Sequence, residues 1–461
     1  MLISRMEKIW EIVFVLACAI AVTAVMLWTA DPDVFWHLKV GEWIVQNRAV
    51  PKTDVYSWSA YGQPWTAHQW LWEAIIYIIY SKAGIMGLWL LVFLAASATG
   101  LMIRAGLVAR GINGTLASLA GGAAPLMLGE WLKPWPQAGV YALFSAYLYL
   151  SLKGTWGKKS LIAVFGLSAA WANIHSSVTM LPLLFVAEAA WQAVNKENCK
   201  PLLTAALVSA VGTLLSPHGI GLWEYAVREG LMTHEYRAHI FEWMPFDFGA
   251  PWMAGVFFIS AIVLLAAVAQ GKAKTLDFAR AAGFWALALM SRIYMPYAVL
   301  STAVLFGCLK FEFREKYFKA IAVLIVFFSA ALVFARGVPG DLETAAEKCG
   351  YPVKAVQYLQ ENPRGKIFND YGFGGYLIWK GVPVYIDGRA DLYKHNEIFT
   401  RYMDPFGEGE KASGFVGSSG ADAALLAAMS RYDQLLAESL EWECVYRDES
   451  AVVYRKKQPQ I

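Results

Sequence analysis

The stretch WTADPDVFWHLKVGEW, residues 28–43, sets two carboxylates, Asp31 and Asp33, and an imidazole, His37, directly behind the first long apolar run. Charge at the edge of a membrane helix is costly unless it is solvated, paired or employed. A carboxylate can accept a proton, steady nearby positive charge or ligate a hard cation. A plainer role competes with these: Asp33 as N-cap of VFWHLKVGEWIVQNR, with Asp31 favouring the positive end of that helix. Spacing alone leaves both readings open.

Other polar groups gather at the ends of separate apolar runs. They are His68; Asn173 and His175 in AAWANIHSS; His218 in SPHG; His234, Glu235, Arg237, His239 and Glu242 in THEYRAHIFEW; and Arg292 in SRIYMPY. Singly, each histidine reads as an interfacial or hydrogen-bonded residue. Jointly, they suggest a polar site on one face.

The elements that would carry this site are membrane helices. Of 461 residues, 57% are hydrophobic and 16% charged, a balance outside that of soluble domains. The net charge of +3 is too small to argue for nucleic acid. Apolar runs near the ~20 residues a span needs lie at 10–29, 84–106, 114–130, 138–152, 160–174, 177–194, 201–216, 252–270, 279–291, 294–309 and 317–336, which makes eleven. Lysine and arginine concentrate in the loops after 106, 152, 194, 270 and 309. That bias predicts a cytoplasmic N-terminus and a C-terminus outside the cytoplasm. HQWLWEAIIYIIYSKAG, 68–84, is short and amphipathic, and is expected to lie along the outer membrane surface within a first outside loop of 30–83. In this topology all seven histidines face one compartment, and no charged residue sits deep in a span.

The expected fold is therefore a polytopic helical membrane domain over 1–336, followed by an extracytoplasmic α/β domain over 337–461. In that domain GKIFND, VPVYIDGR, ECVYRD and AVVYRKK read as strands, and PVKAVQYLQEN and ADAALLAAMSRYDQLLAESL as helices. Asp387, Arg389 and Asp391 read as a structural ion-pair cluster, and Gly372, Gly374 and Gly375 as a tight turn, since neither phosphate-loop nor dinucleotide spacing is met. Cys349 and Cys444 share the outside domain, where a disulfide between them is open.

DPDVFWHLKVGEWIVQNRAVPKTDVYSWSAYGQPWTAHQWLWE resembles the first outside loop of bacterial membrane glycosyltransferases of the GT-C superfamily, the group of protein mannosyltransferases and aminoarabinose transferases. IFNDYGFGGYLIWKGVPVYIDGRADLY resembles the outside tail of the same group, and WANIHSS and SPHG fall where it has comparable loop motifs. The resemblance implies an inverting transfer of sugar from a polyprenyl phosphate or diphosphate carrier to a protein, lipid or glycan outside the cytoplasm. It implies a first-loop aspartate as general base, and it does not separate Asp31 from Asp33. A displacement with oxocarbenium character suits a carboxylate in that role. The lipid phosphate calls for cations, with Arg292 first and Arg237, His218 and His175 next; His37, His68 and Glu242 complete the binding set. Some relatives use a divalent metal, for which Asp31, Asp33 and Glu242 offer hard oxygens. The chain departs from the group where a His-Glu-Trp-Leu-like segment reads His68, Gln69, Trp70, Leu71, so the glutamate's role is lost or passes to Glu73. Two rival readings remain: a transporter of lipid-linked substrates, and a non-catalytic scaffold.

Overall fold

The computed structural model describes all residues except 1, 26–29, 232–238, 312–314, 364, 395–396, 404–411 and 458–461. Each apolar run holds a helix: Leu2–Val25, Trp70–Ala109, Gly114–Leu128, Pro136–Lys153, Lys158–Ile174, Met180–Val194, Lys200–Thr213, Pro251–Ala269, Leu276–Met290, Met295–Gly307 and Glu315–Arg336. A helix satisfies its own backbone, which apolar surroundings demand. Proline in the first turn starts four of these helices, and Gly154 in the left-handed region ends Pro136–Lys153. Five described helices are long and apolar enough to cross a membrane: Lys8–Val25, Trp70–Ala109, Ser176–Val194, Pro251–Ala269 and Tyr317–Ala335. The longest breaks at Gly84, whose φ of 55° and ψ of −149° are closed to other residues without strain.

The chain forms two compact units, Met1–Leu27 with Leu88–Val338, and Trp28–Gly87 with Pro339–Ile461. The first is helical. Helix Leu2–Val25 packs against Gly114–Leu128 and Glu315–Arg336, and a Cβ on Gly100 would stand 2.4 Å from the Gly121 carbonyl oxygen, so two helix backbones touch there. Contrary to the sequence expectation, this unit buries charge. Glu188 accepts from Arg280 at 2.5 Å, from Ser151 at 2.9 Å and from the Tyr147 hydroxyl. Arg110 pairs with Asp277, and Arg104 with Glu11. These residues escape a hydropathy count because they are few among many apolar neighbours in each helix, and only packing unites them across helices.

In the second unit a four-stranded sheet has the order β1 (Ile367–Asn369), β2 (Ala423–Ala427), β4 (Ala451–Lys456), β3 (Trp442–Arg447). β1 and β2 run parallel, and the other pairs are antiparallel. Two assignments from sequence change. The alanine and leucine of residues 423–427 predict a helix, yet these residues form the buried strand β2, because a short continuous apolar run suits a strand covered on both faces. VPVYIDGR alternates like a strand but stays out of the sheet. Its Val384 instead exchanges backbone hydrogen bonds with Tyr56 and Trp58 of the 28–87 segment, at 3.3 and 2.9 Å. Cys349 and Cys444 are both exposed and are not joined in a disulfide; the Cys349 sulfur instead accepts the Ala30 N–H at 3.3 Å.

Candidate functional site

Helix Pro32–Asn47 carries the acidic stretch. Asp31, not Asp33, is its N-cap: the backbone of Asp31 is extended (φ −90°, ψ 137°), and its Oδ1 accepts the Asp33 N–H at 3.0 Å. Pro32 then fits the first turn, where no N–H is needed. Asp31 is buried and Asp33 half-buried, with Asp33 Oδ1 accepting the Trp36 indole N–H at 2.9 Å. The Tyr351 hydroxyl donates to the Ala30 carbonyl at 3.3 Å. Burial, with the charges of Asp31 and Asp33 close by, pushes that phenol well above its ordinary range. Phe35 packs edge-on against Tyr351 and Tyr376.

His37, one turn on, is buried with its Nδ1 3.1 Å from Glu73 Oε1. The pairing follows from Gly41, where a Cβ would stand 2.0 Å from the Glu73 carbonyl oxygen; only glycine lets the two helices come this close. Glu73 is fully buried, and its Oε2 has no hydrogen-bond partner among the described residues. Glu73 stands one turn after Gln69 and faces His37. His68 itself is half-buried, with Nδ1 3.3 Å from the Thr66 carbonyl and Nε2 3.1 Å from Gln69.

A second polar cluster lies in the same unit. Arg389, 2% exposed, donates to Asp387 through Nε and Nη2 at 2.8 and 2.7 Å, and to Asp54 through Nη1 at 2.7 Å. Its guanidinium also lies over the rings of Trp65 and Tyr56. Asp54 in turn accepts from the backbone of Tyr56 and from both the N–H and hydroxyl of Ser57. The Asp387–Arg389 pair is legible in the sequence, but Asp54 is not, because nothing local marks a partner so distant in the chain.

The helical unit holds the remaining candidates. His175 caps the short turn Ser176–Thr179, its Nδ1 accepting the Ser177 N–H at 3.0 Å. Burial pushes the His175 imidazole down to about 4, so it is neutral at pH 7. The Ser216–Gly221 turn with His218 adjoins this one: Asn173 reaches the Leu215 carbonyl at 3.4 Å, and helix Gly221–Leu231 packs on Ser176–Thr179. Ser177 lies within interaction range of the Tyr297 hydroxyl, which brings the Arg292–Tyr294 turn to the same end of the unit. Arg292 is buried there, its Nε donating to the Pro245 carbonyl at 2.8 Å and its guanidinium 4.5 Å from the Phe241 ring centre. Asp247 lies 3.9 Å from its Nη2. Glu242 shares that loop, within electrostatic reach of Tyr141. The structure thus groups His175, His218, Glu242 and Arg292 in one unit, and Asp31, Asp33, His37 and His68 in the other. Arg237 lies outside the described residues, as do His234, Glu235 and His395. Among the described residues no group of three or more histidine, cysteine, aspartate or glutamate side chains is arranged to hold a metal ion.

No protein-family profile matches the chain. No curated protein matches it by sequence. Solved structures that match its fold include the following two. ArnT from Cupriavidus metallidurans, bound to undecaprenyl phosphate, aligns over 94% of this chain and 96% of its own, with 15% identity and a TM-score of 0.54. The Archaeoglobus fulgidus oligosaccharyltransferase in its apo form aligns over 90% of this chain and 69% of its own, with 11% identity and a TM-score of 0.53. The fold that this mostly helical membrane chain shares with both, over nearly its whole length, is the GT-C fold.

Proposed function

We propose that the protein is a membrane glycosyltransferase that moves a sugar from a polyprenyl phosphate or diphosphate carrier to an acceptor outside the cytoplasm. One observation carries this reading: the fold match to ArnT, a protein seen with undecaprenyl phosphate bound, extends over 94% of the chain. In this reading Asp31 or Asp33 takes the proton of an acceptor hydroxyl as that oxygen attacks the anomeric carbon. The bond from that carbon to the carrier breaks, and its electron pair leaves on the phosphate, with inversion at carbon. Arg292 is the proposed phosphate ligand, since guanidinium stays charged when poorly hydrated and binds phosphate in a fork. His175 and His218, from the same end of the helical unit, and Arg237 support it; His37, His68 and Glu242 bind substrate. The eleven-span topology with N-terminus in and C-terminus out belongs to the same proposal.

The test uses membranes containing the full-length protein and a panel of synthetic undecaprenyl-phosphate-linked sugars. Release of undecaprenyl phosphate together with a sugar-bearing product is the expected result. Passage of the carrier across liposomes with no product would favour a transporter. Failure to bind any member of the panel would leave a scaffold and overturn the proposal.

A further inference from the structure

Residues 374–389 meet the acidic stretch within one compact unit, and they are themselves rigidly held. Asn369, the last residue of β1, accepts the Tyr385 N–H at 2.7 Å and donates to the Ile386 carbonyl at 2.7 Å, tying this segment to the sheet. Asp387 then closes the turn by accepting the Arg389 N–H at 3.0 Å, both guanidinium bonds and the Tyr393 hydroxyl. At the apex of that turn is Gly388. A Cβ there would stand 2.2 Å from Asp33 Oδ1 and 3.1 Å from Trp36 Nε1. Gly375 does the same one residue earlier in the acidic stretch, where its Cβ would stand 2.1 Å from the Pro32 carbonyl oxygen. Neither glycine has a positive φ. What demands glycine is therefore the contact and not the backbone conformation.

Two backbone approaches thus bracket Pro32 and Asp33, while the Cys349 sulfur and the Tyr351 hydroxyl hold Ala30 just ahead of Asp31. Ordinary packing of an outside domain would need only apolar contact, such as that of Phe35 with Tyr376. Contact of a rigid turn with a carboxylate oxygen fixes where that oxygen stands. We infer that residues 374–389 are a positioning element for the first-loop carboxylates, with Gly388 and Gly375 as its two positioning residues. The inference rests on the reading that Asp31 or Asp33 is the base.

The experiment uses the full chain in lipid nanodiscs, labelled with 5-fluorotryptophan, the Trp36 signal being assigned with Trp36→Phe. Because the Trp36 indole donates to Asp33, its ¹⁹F shift follows the protonation of that carboxylate. Gly388→Ala must push the oxygen away by roughly 1 Å, weakening the indole bond and crowding out water. Both changes disfavour the charged form, so the titration midpoint should rise by about one pH unit. In the undecaprenyl-phosphate-sugar assay, Gly388→Ala and Gly375→Ala should each lower turnover about 100-fold, the scale of a 1 Å misplacement. Gly340→Ala, where an added methyl meets nothing within 4 Å, should leave both readouts unchanged. A mere loss of folded protein would scale the Trp36 signal without moving its midpoint, and that result would overturn the inference. So would a Gly388→Ala titration superimposable on wild type. If Asp31→Asn or Asp33→Asn abolishes turnover while both glycine variants keep it, the base stands and the positioning role falls. If the Asp31→Asn, Asp33→Asn double variant keeps turnover, the base reading falls whatever the glycines do.

Discussion

The guanidinium of Arg389 holds two carboxylates at once, Asp387 two residues before it and Asp54 335 positions away. All three are buried, so removing the cation would strand two acids away from water. Arg389→Ala should lower the stability of this unit by about 3–5 kcal/mol, the cost of breaking a buried pair. Arg389→Lys should recover only part, since an ammonium does not match two carboxylates in a planar fork. Hydrogen exchange of the β1 and β2 amides in the full-length protein would measure both effects, and unchanged protection in the alanine variant would contradict the account.

Arg280 plays a comparable part in the helical unit, where it meets Glu188 and Ser151 with the Tyr147 ring close by. Arg280→Met should destabilise the helical unit, because it leaves Glu188 without its cation. The double variant Arg280→Met, Glu188→Met should recover most of the loss, as an apolar replacement of the whole pair often does. Thermal unfolding in detergent, compared across wild type, single and double variants, reads this directly.

Asp433 gives the sheet a pH dependence of definite sign. Burial opposes its charge, but hydrogen bonds from Arg447 and Tyr454, and from the Met429 N–H, outweigh burial and hold its carboxyl below the ordinary range. A depressed folded pKa means the stabilisation is complete above the unfolded value of about 3.9 and is lost as pH falls through the folded one. Protection of β4 amides should therefore decline below about pH 4. Asp433→Asn should start from lower protection at pH 7 and show a smaller decline.

Much of this arrangement was legible in the sequence, and the exceptions have a common cause. The helices follow from long apolar runs with prolines and glycines at their ends, and the break at Gly84 falls where the amphipathic stretch 68–84 gives way to a purely apolar one. β1, β3 and β4 follow from short β-branched and aromatic runs. β2 did not, because alanine and leucine favour a helix locally and only burial in the sheet makes Ala423–Ala427 a strand. The acids at 31 and 33 stood out, yet the cap fell to Asp31 because Pro32 can occupy the first turn. His37–Glu73, Asp54–Arg389 and Glu188–Arg280 were invisible as pairs. Each joins residues far apart in the chain, and no periodicity records such a partner.

Arg292 carries the proposed phosphate contact. Its Nε is committed to the Pro245 carbonyl, which orients the guanidinium over Phe241. Arg292→Ala should weaken binding of undecaprenyl phosphate by about tenfold or more, the scale of one charge-assisted hydrogen bond. Arg292→Lys should restore little, because it keeps the charge but not the fork. Equilibrium binding of fluorescent undecaprenyl phosphate to the purified variants checks both.

Sugar transfer by Asp31→Asn and Asp33→Asn, made singly and together, tests whether a first-loop aspartate is the base. Asparagine caps a helix about as well as aspartate, so Asp31→Asn removes charge while keeping the cap, and Asp33→Asn keeps an oxygen for the Trp36 indole. The measurement is release of undecaprenyl phosphate and formation of the glycosylated product by full-length protein in membranes, normalised to inserted, folded protein. At least one single variant should lose transfer by several orders of magnitude while its binding of undecaprenyl phosphate is unchanged. Full transfer by both single variants and by the double variant would contradict a first-loop aspartate as the base.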